Sequence, residues 1–158
     1  MLARLTNLDK AKKFIEDDPV RPHIPAEWRI SGNRNIFYLH DLPINTSEPI
    51  VIKPRAVVCV AYTDKIAITE QEMFDASNCE NPNIAMFYTI WSYNSGAGRE
   101  LILKVREHML QTMPHIHRFI TLSPLTTLAE KFHTRNGAVL INKGSECQNF
   151  EYPPRNDI

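Results

Sequence analysis

The sequence is short of several things, and each shortage removes a class of protein. Its 158 residues include only five glycines and three cysteines. Cys59, Cys79 and Cys147 are odd in number and form no close pairs, so they suggest neither a disulfide framework nor a zinc pattern. There is no apolar run long enough to span a bilayer, and no charged-apolar-small leader at the start. Net charge is zero, so no basic surface is expected to capture nucleic acid or an anionic membrane. No internal repeat and no low-complexity segment is present. These exclusions leave a single domain over residues 1–158, with 152–158 expected as a tail, in the cytoplasm.

What is present suits a packed α/β core: 43% of residues are hydrophobic and 23% charged. Residues 7–17 read as a helix, with Asn7 as cap and Leu8, Ala11, Phe14 and Ile15 on one stripe. Prolines at 19, 22 and 25 break the chain. Trp28–Ile30 and Ile36–Leu39 read as the strands of a hairpin around Ser31–Asn35. Residues 41–55 form a loop, and Ala56–Tyr62 a central strand. Residues 66–83 are ambiguous, with Thr69–Phe74 either a short helix or a loop.

Two of the five glycines fall in one turn, Asn94-Ser95-Gly96-Ala97-Gly98-Arg99-Glu100. The β-rich run from Ile84 precedes it. After it, Leu101, Ile102, Val105, Met109 and Met113 recur at helical spacing up to Pro114. A strand-to-helix turn leaves unpaired N–H groups where the helix dipole is positive, a combination that attracts phosphate. The same turn could equally serve close packing.

A strand at His115–Leu122 follows, so the unit from 84 to 122 reads as a parallel crossover. Ser123-Pro124 reads as a helix start, with a competing capping box at Thr127 and Glu130. The helix ends at Asn136-Gly137, and two strands near 138–141 and 148–152 close the domain. His115 and His117 share a strand face but lack a third ligand, so no metal is expected.

This order of elements resembles the GNAT superfamily of GCN5-related N-acetyltransferases. The fold implied is α/β: a GNAT-like, mixed, mostly antiparallel central sheet flanked by helices. That superfamily cradles the pyrophosphate of acetyl-CoA on a loop of the form Gln/Arg-x-x-Gly-x-Gly/Ala. The matching stretch is Tyr93-Asn94-Ser95-Gly96-Ala97-Gly98, with Tyr93 departing at the first position. The resemblance implies a coenzyme A or acyl-CoA site at Tyr93, Asn94, Ser95, Gly96, Ala97, Gly98 and Arg99.

Four segments in order, from 56 to 152, are similar to the catalytic domain of malonyl-CoA decarboxylase. They are Val60-Ala61-Tyr62-Thr63-Asp64, the strand from Ile84 to Ser92, Met113-Pro114-His115-Ile116 with Phe119-Ile120-Thr121-Leu122-Ser123-Pro124, and Phe132-His133-Thr134-Arg135-Asn136-Gly137-Ala138. Asn149-Phe150-Glu151-Tyr152 is similar to that family's closing Asn-Tyr-Arg-Tyr. These residues hold no counterpart of that family's helical N-terminal domain or of its insertion between the serine and histidine motifs.

The resemblance implies His133 and Ser123 as catalytic residues, His133 as proton donor and Ser123 at the malonyl carboxylate. In the competing account Ser123 is a helix cap. A single straight helix from 124 to 133 would hold the two roughly 15 Å apart. Tyr93 and Tyr152 could donate protons or simply pack. The activity implied is loss of CO₂ from a malonyl-type thioester. The alternatives are acetyl-CoA-dependent N-acyl transfer and a CoA-binding module without catalysis. The partner implied is a small-molecule acyl-CoA, with no nucleic acid and no membrane, and a homodimer is left open.

Overall fold

The computed structural model describes residues 1–41 and 53–156. The described chain runs β1 (Leu2–Leu5), α1 (Leu8–Phe14), α2 (Ala26–Arg29), β2 (Arg34–His40), β3 (Pro54–Thr63), α3 (Glu70–Ala76) and β4 (Ile84–Ser92). It continues with α4 (Ala97–Thr112), β5 (Arg118–Thr121), β6 (Ser123–Pro124), α5 (Thr127–Arg135), β7 (Val139–Lys143) and β8 (Cys147–Tyr152). The strands form one sheet in the order β1-β2-β3-β4-β5-β8-β6, with β7 added to β8. Only β4 and β5 are parallel. The expected α/β, mostly antiparallel sheet is therefore the one observed.

The sheet has a core on each face. One gathers Ile36, Tyr38, Cys59, Met86 and Tyr88 beneath residues of α1, α2 and α3. The other gathers Phe37, Val58, Val60 and Phe87 beneath α4. Residues 56–63 of β3 are buried throughout, which is why this strand reads as unbroken apolar sequence instead of alternating. In α4, Leu101, Ile102, Val105 and Met109 form the buried stripe. Burying each contributes about 1.5–3 kcal/mol.

Four local expectations change. Trp28 to Ile30 is not a strand, because α2 occupies Ala26–Arg29. The antiparallel neighbour of β2 is instead β1, pairing Leu2 with Leu39 and Leu5 with Ile36. His115 and His117 precede β5 and do not share a strand face. Ser123-Pro124 is a short strand opposite Gln148 and Cys147, and the helix cap is Thr126, whose hydroxyl accepts from Ala129 N at 3.2 Å. The ambiguous stretch resolves as helix α3, capped by Thr69. Most of the loop expected at 41–55 lies outside the described residues, and Pro54 and Arg55 already belong to β3. Tyr152 closes β8, and the Arg155 guanidinium donates to the carbonyls of Met109, Leu110, Met113 and Ile116.

Two irregularities position the site. Cys59 pairs with Thr89 but Val60 with Phe87, so Tyr88 is an extra residue, a bulge in β4. Pairing of β4 with β5 stops at Phe87, where Leu122 N donates to Phe87 O at 2.8 Å. Beyond that point the two strands part, and Thr89 to Ser92 have no strand on the β5 side.

Candidate functional site

A cavity of about 640 Å³ fills the space where β4 and β5 separate. Its floor is β4 from Phe87 to Ser92, and Leu122, Ser123 and Pro124 form one wall. Thr126, Leu128, Ala129, Phe132 and His133 present one face of α5 and its cap. Pro19 and Val20 approach from the loop after α1, and Gly98 from the first turn of α4. Among the described residues no Asp, Glu, Lys or Arg lines it.

His133 is the one titratable imidazole on this wall, and only 5% of it is exposed. A ring buried this deeply does not charge near neutral pH, as the implied proton donor would. Burial lowers its pKa to about 4. Its Nδ1 lies 2.8 Å from the Tyr152 hydroxyl, and Phe150 stacks on the ring at 5.5 Å between centroids. Burial holds the Tyr152 phenol well above its usual pKa, with the Asn136 amide acting the other way. In the tautomer in which the Tyr152 hydroxyl donates to Nδ1, the ring hydrogen stands on Nε2, the ring nitrogen opposite the Tyr152 contact. Phe150 and Tyr152 alternate on β8, so both meet His133, and the missing hydroxyl of Phe150 is replaced by a stacking face.

Ser123 lines the same cavity and is buried. Its Oγ lies 2.8 Å from Thr121 Oγ1, which accepts Phe150 N–H at 3.0 Å. The helix begins at Thr127, after Ser123. The geometric bar to Ser123 and His133 serving one ligand therefore falls away. Gln148 fixes the turn between them through its Nε2, which donates to Pro124 O and Thr126 O.

The glycine turn closes the other end. Gly96 has φ +80°, a left-handed value natural only to glycine, and is the N-cap of α4. Ala97 N–H is taken by Asn94 O and Glu100 N–H by Gly96 O. Gly98 and Arg99 N–H have no protein acceptor among the described residues. At Gly98 a Cβ would meet the Phe132 ring at 3.3 Å, so this glycine lets α4 approach α5. Ser95 and Arg99 are exposed beside the turn. Tyr93 faces away from the cavity: its hydroxyl donates to Asp17 Oδ2 at 2.7 Å and accepts from Trp91 Nε1 at 3.0 Å.

Sequence reading missed the roof and its anchor. Asp18 accepts from Val20 N, Arg21 N and the Thr89 hydroxyl through Oδ1, and from Arg29 Nη1 through Oδ2 at 2.8 Å. Burial pushes the Asp18 carboxyl up, but these bonds outweigh it and hold it below its usual value. This ties Pro19 and Val20 to β4. Thr121 and Thr89 carry no motif, and only the Ser123 and strand assignments could have directed attention to them.

The sequence matches no family model and no curated protein. Among solved structures it is similar to malonyl-CoA decarboxylase from Rhodopseudomonas palustris, with 20% identity and a TM-score of 0.56. That match covers 84% of this chain and 32% of the other, so this chain spans about a third of the decarboxylase's length. It is also similar to NAA60 of Arabidopsis thaliana in complex with acetyl-CoA, with 14% identity, a TM-score of 0.61 and coverage of 96% and 97%. A third is the loading GNATL domain of CurA from Lyngbya majuscula, with 10% identity, a TM-score of 0.65 and coverage of 96% of each chain. These likenesses establish the GNAT fold.

Proposed function

We propose that this chain binds an acyl-CoA and removes CO₂ from a malonyl-type thioester. The pantetheine arm runs along the unpaired edge of β4, whose free backbone groups can pair with its amides as a strand would. The pyrophosphate rests on the Gly98 and Arg99 N–H groups at the start of α4, with the Arg99 side chain beside it. The thioester then reaches His133 and Ser123.

The observation that carries this reading is the uncharged cavity with a neutral imidazole on its wall. A malonyl carboxylate there loses hydration and finds no cation, which raises it towards the state that has released CO₂. As the C–C bond breaks, its electron pair passes to the adjacent carbon and charge gathers on the thioester oxygen. The Nε2–H of His133 is a donor for that oxygen, held by Tyr152. His133 is thus read as a hydrogen-bond donor, which revises its expected role as proton donor. A solvent proton completes the product. The Ser123 hydroxyl, supported by Thr121, orients the carboxylate. Amine acylation is served poorly by this wall, since it offers no carboxylate base and an imidazole too weak to act as one.

The test is malonyl-CoA incubated with protein and no amine, followed by mass spectrometry. Acetyl-CoA appears if the reading is right. Intact malonyl-CoA, with acetyl-CoA consumed only when an amine is added, would transfer the site to N-acyl transfer. Binding without either turnover would make it a CoA-binding module.

A further inference from the structure

A second cavity, of about 450 Å³, opens beside the glycine turn. It is lined by Lys13, Phe14 and Asp17 at the end of α1, Lys53 and Pro54 at the start of β3, and Tyr93 and Asn94. The two lysines are exposed and make no ion pair among the described residues. Other basic groups nearby are engaged: Arg55 pairs with Glu100 at 3.0 Å and Lys12 with Glu27 at 3.6 Å. Two unspent ammonium groups therefore converge on a recess that is otherwise aromatic and neutral, apart from Asp17.

Asp17 offsets one of the two charges and leaves the recess net positive. Its Oδ2 accepts the Tyr93 hydroxyl, and that hydroxyl in turn accepts Trp91 Nε1–H. Burial, then the bond to Asp17, raises the Tyr93 phenol to about 12, so it remains a donor. The chain from Trp91 through Tyr93 to Asp17 has a mechanical consequence. It fixes the Tyr93 ring, 46% exposed, as a rigid face at the recess. A planar base can stack on such a face, with phenol ordering entropy already spent within the protein. Asn94 lines the recess, and the free amides of Gly98 and Arg99 follow it in the same turn.

We propose that this recess binds a 3′-phosphorylated adenine nucleotide, with the base on Tyr93 and the 3′-phosphate on Lys13 and Lys53. It rests on the acyl-CoA reading, because in CoA one ribose separates the 3′-phosphate from the pyrophosphate placed on the turn. Tyr93, the position that departs from the loop pattern, thereby gains a role of its own.

The experiment is calorimetric titration of CoA, dephospho-CoA and adenosine 3′,5′-bisphosphate into the full chain and two variants. Lys13→Ala/Lys53→Ala alters exposed side chains, and an unchanged melting temperature verifies its fold. CoA should bind the wild-type chain roughly tenfold or more tightly than dephospho-CoA, and the double variant should erase that difference. Tyr93→Leu should weaken CoA and dephospho-CoA alike. Equal affinity of CoA and dephospho-CoA for the wild-type chain, or full CoA affinity in the double variant, overturns the proposal. If CoA does not bind but the bisphosphate does so with lysine dependence, the nucleotide recess stands and the acyl-CoA reading falls. If none of the three binds, both fall.

Discussion

The two polar regions on either side of β4 follow opposite rules. Beneath the roof loop, Arg29 and Asp18 are wholly buried and charged, and nearly every donor and acceptor is matched. Across the strand, the cavity carries no charge, and His133 is driven neutral with one edge unspent. On the proposed function, the difference separates rigidity from reactivity within one small domain. Burial of an ion is tolerable where its partners surround it, and there it fixes the chain. A reacting group needs the reverse, a neutral surface with one donor left over for the ligand.

Removing one member of the buried pair should have the largest effect. Arg29→Met leaves the Asp18 carboxylate inside the protein without its cation, and should cost about 3–5 kcal/mol in denaturant unfolding. A loss below 1 kcal/mol would mean that the backbone N–H groups of Val20 and Arg21 suffice. The comparison would then lose its charged half.

The neutral half is tested at His133. His133→Ala should lower malonyl-CoA turnover by about 10²–10³-fold with CoA binding retained, the scale for losing one donor to a developing oxyanion. His133→Gln keeps an N–H and should retain more activity. The pH dependence has a definite sign. With a folded pKa of about 4, against 6.5 for the free ring, the native state binds fewer protons than the unfolded chain between those values. The stability tied to a neutral His133 is therefore complete above about pH 6.5 and falls as pH drops towards 4. Asp18, with its lowered pKa, adds a loss of the same sign at more acid pH. Turnover should stay flat from about pH 6.5 to 8. A titration of turnover near pH 7 would restore the histidine as a charged acid.

The smallest effect concerns what connects the halves. Thr126→Ala removes the cap of α5, which carries Phe132 and His133, and should cost about 1 kcal/mol with a slight loss of turnover. Ser123→Ala should leave the helix intact, because Ser123 is not its cap. If Thr126→Ala leaves stability unchanged, the placement of the helix start is wrong.

The helices and buried strands were legible wherever the pattern was strong and local. The run at 56–62, the stripe from Leu101 to Met109 and the Asn136-Gly137 stop each state their structure within a dozen residues. Gly137, with φ +99°, ends α5 as read. Trp28 to Ile30 misled because three apolar-flanked residues cannot distinguish a strand from one helical turn. The strand at Leu2–Leu5 was missed because its partner, β2, lies more than thirty residues away. Ser123-Pro124 carries a helix-start signature. It became a strand because Gln148 and Cys147 supply a partner edge that local sequence does not display.

By itself the sequence determined the alternation of elements, the glycine turn and the histidine before Asn136-Gly137. These depend on backbone freedom, helical period and apolar runs, all properties of neighbouring residues. Tertiary structure alone decided that His133 is neutral, that Tyr152 orients it, and that Arg29 and Asp18 anchor the roof. Each of these is set by burial and by a partner distant in sequence. The free energy of a proton or a charge depends on what surrounds it in space, and a linear sequence does not contain that quantity.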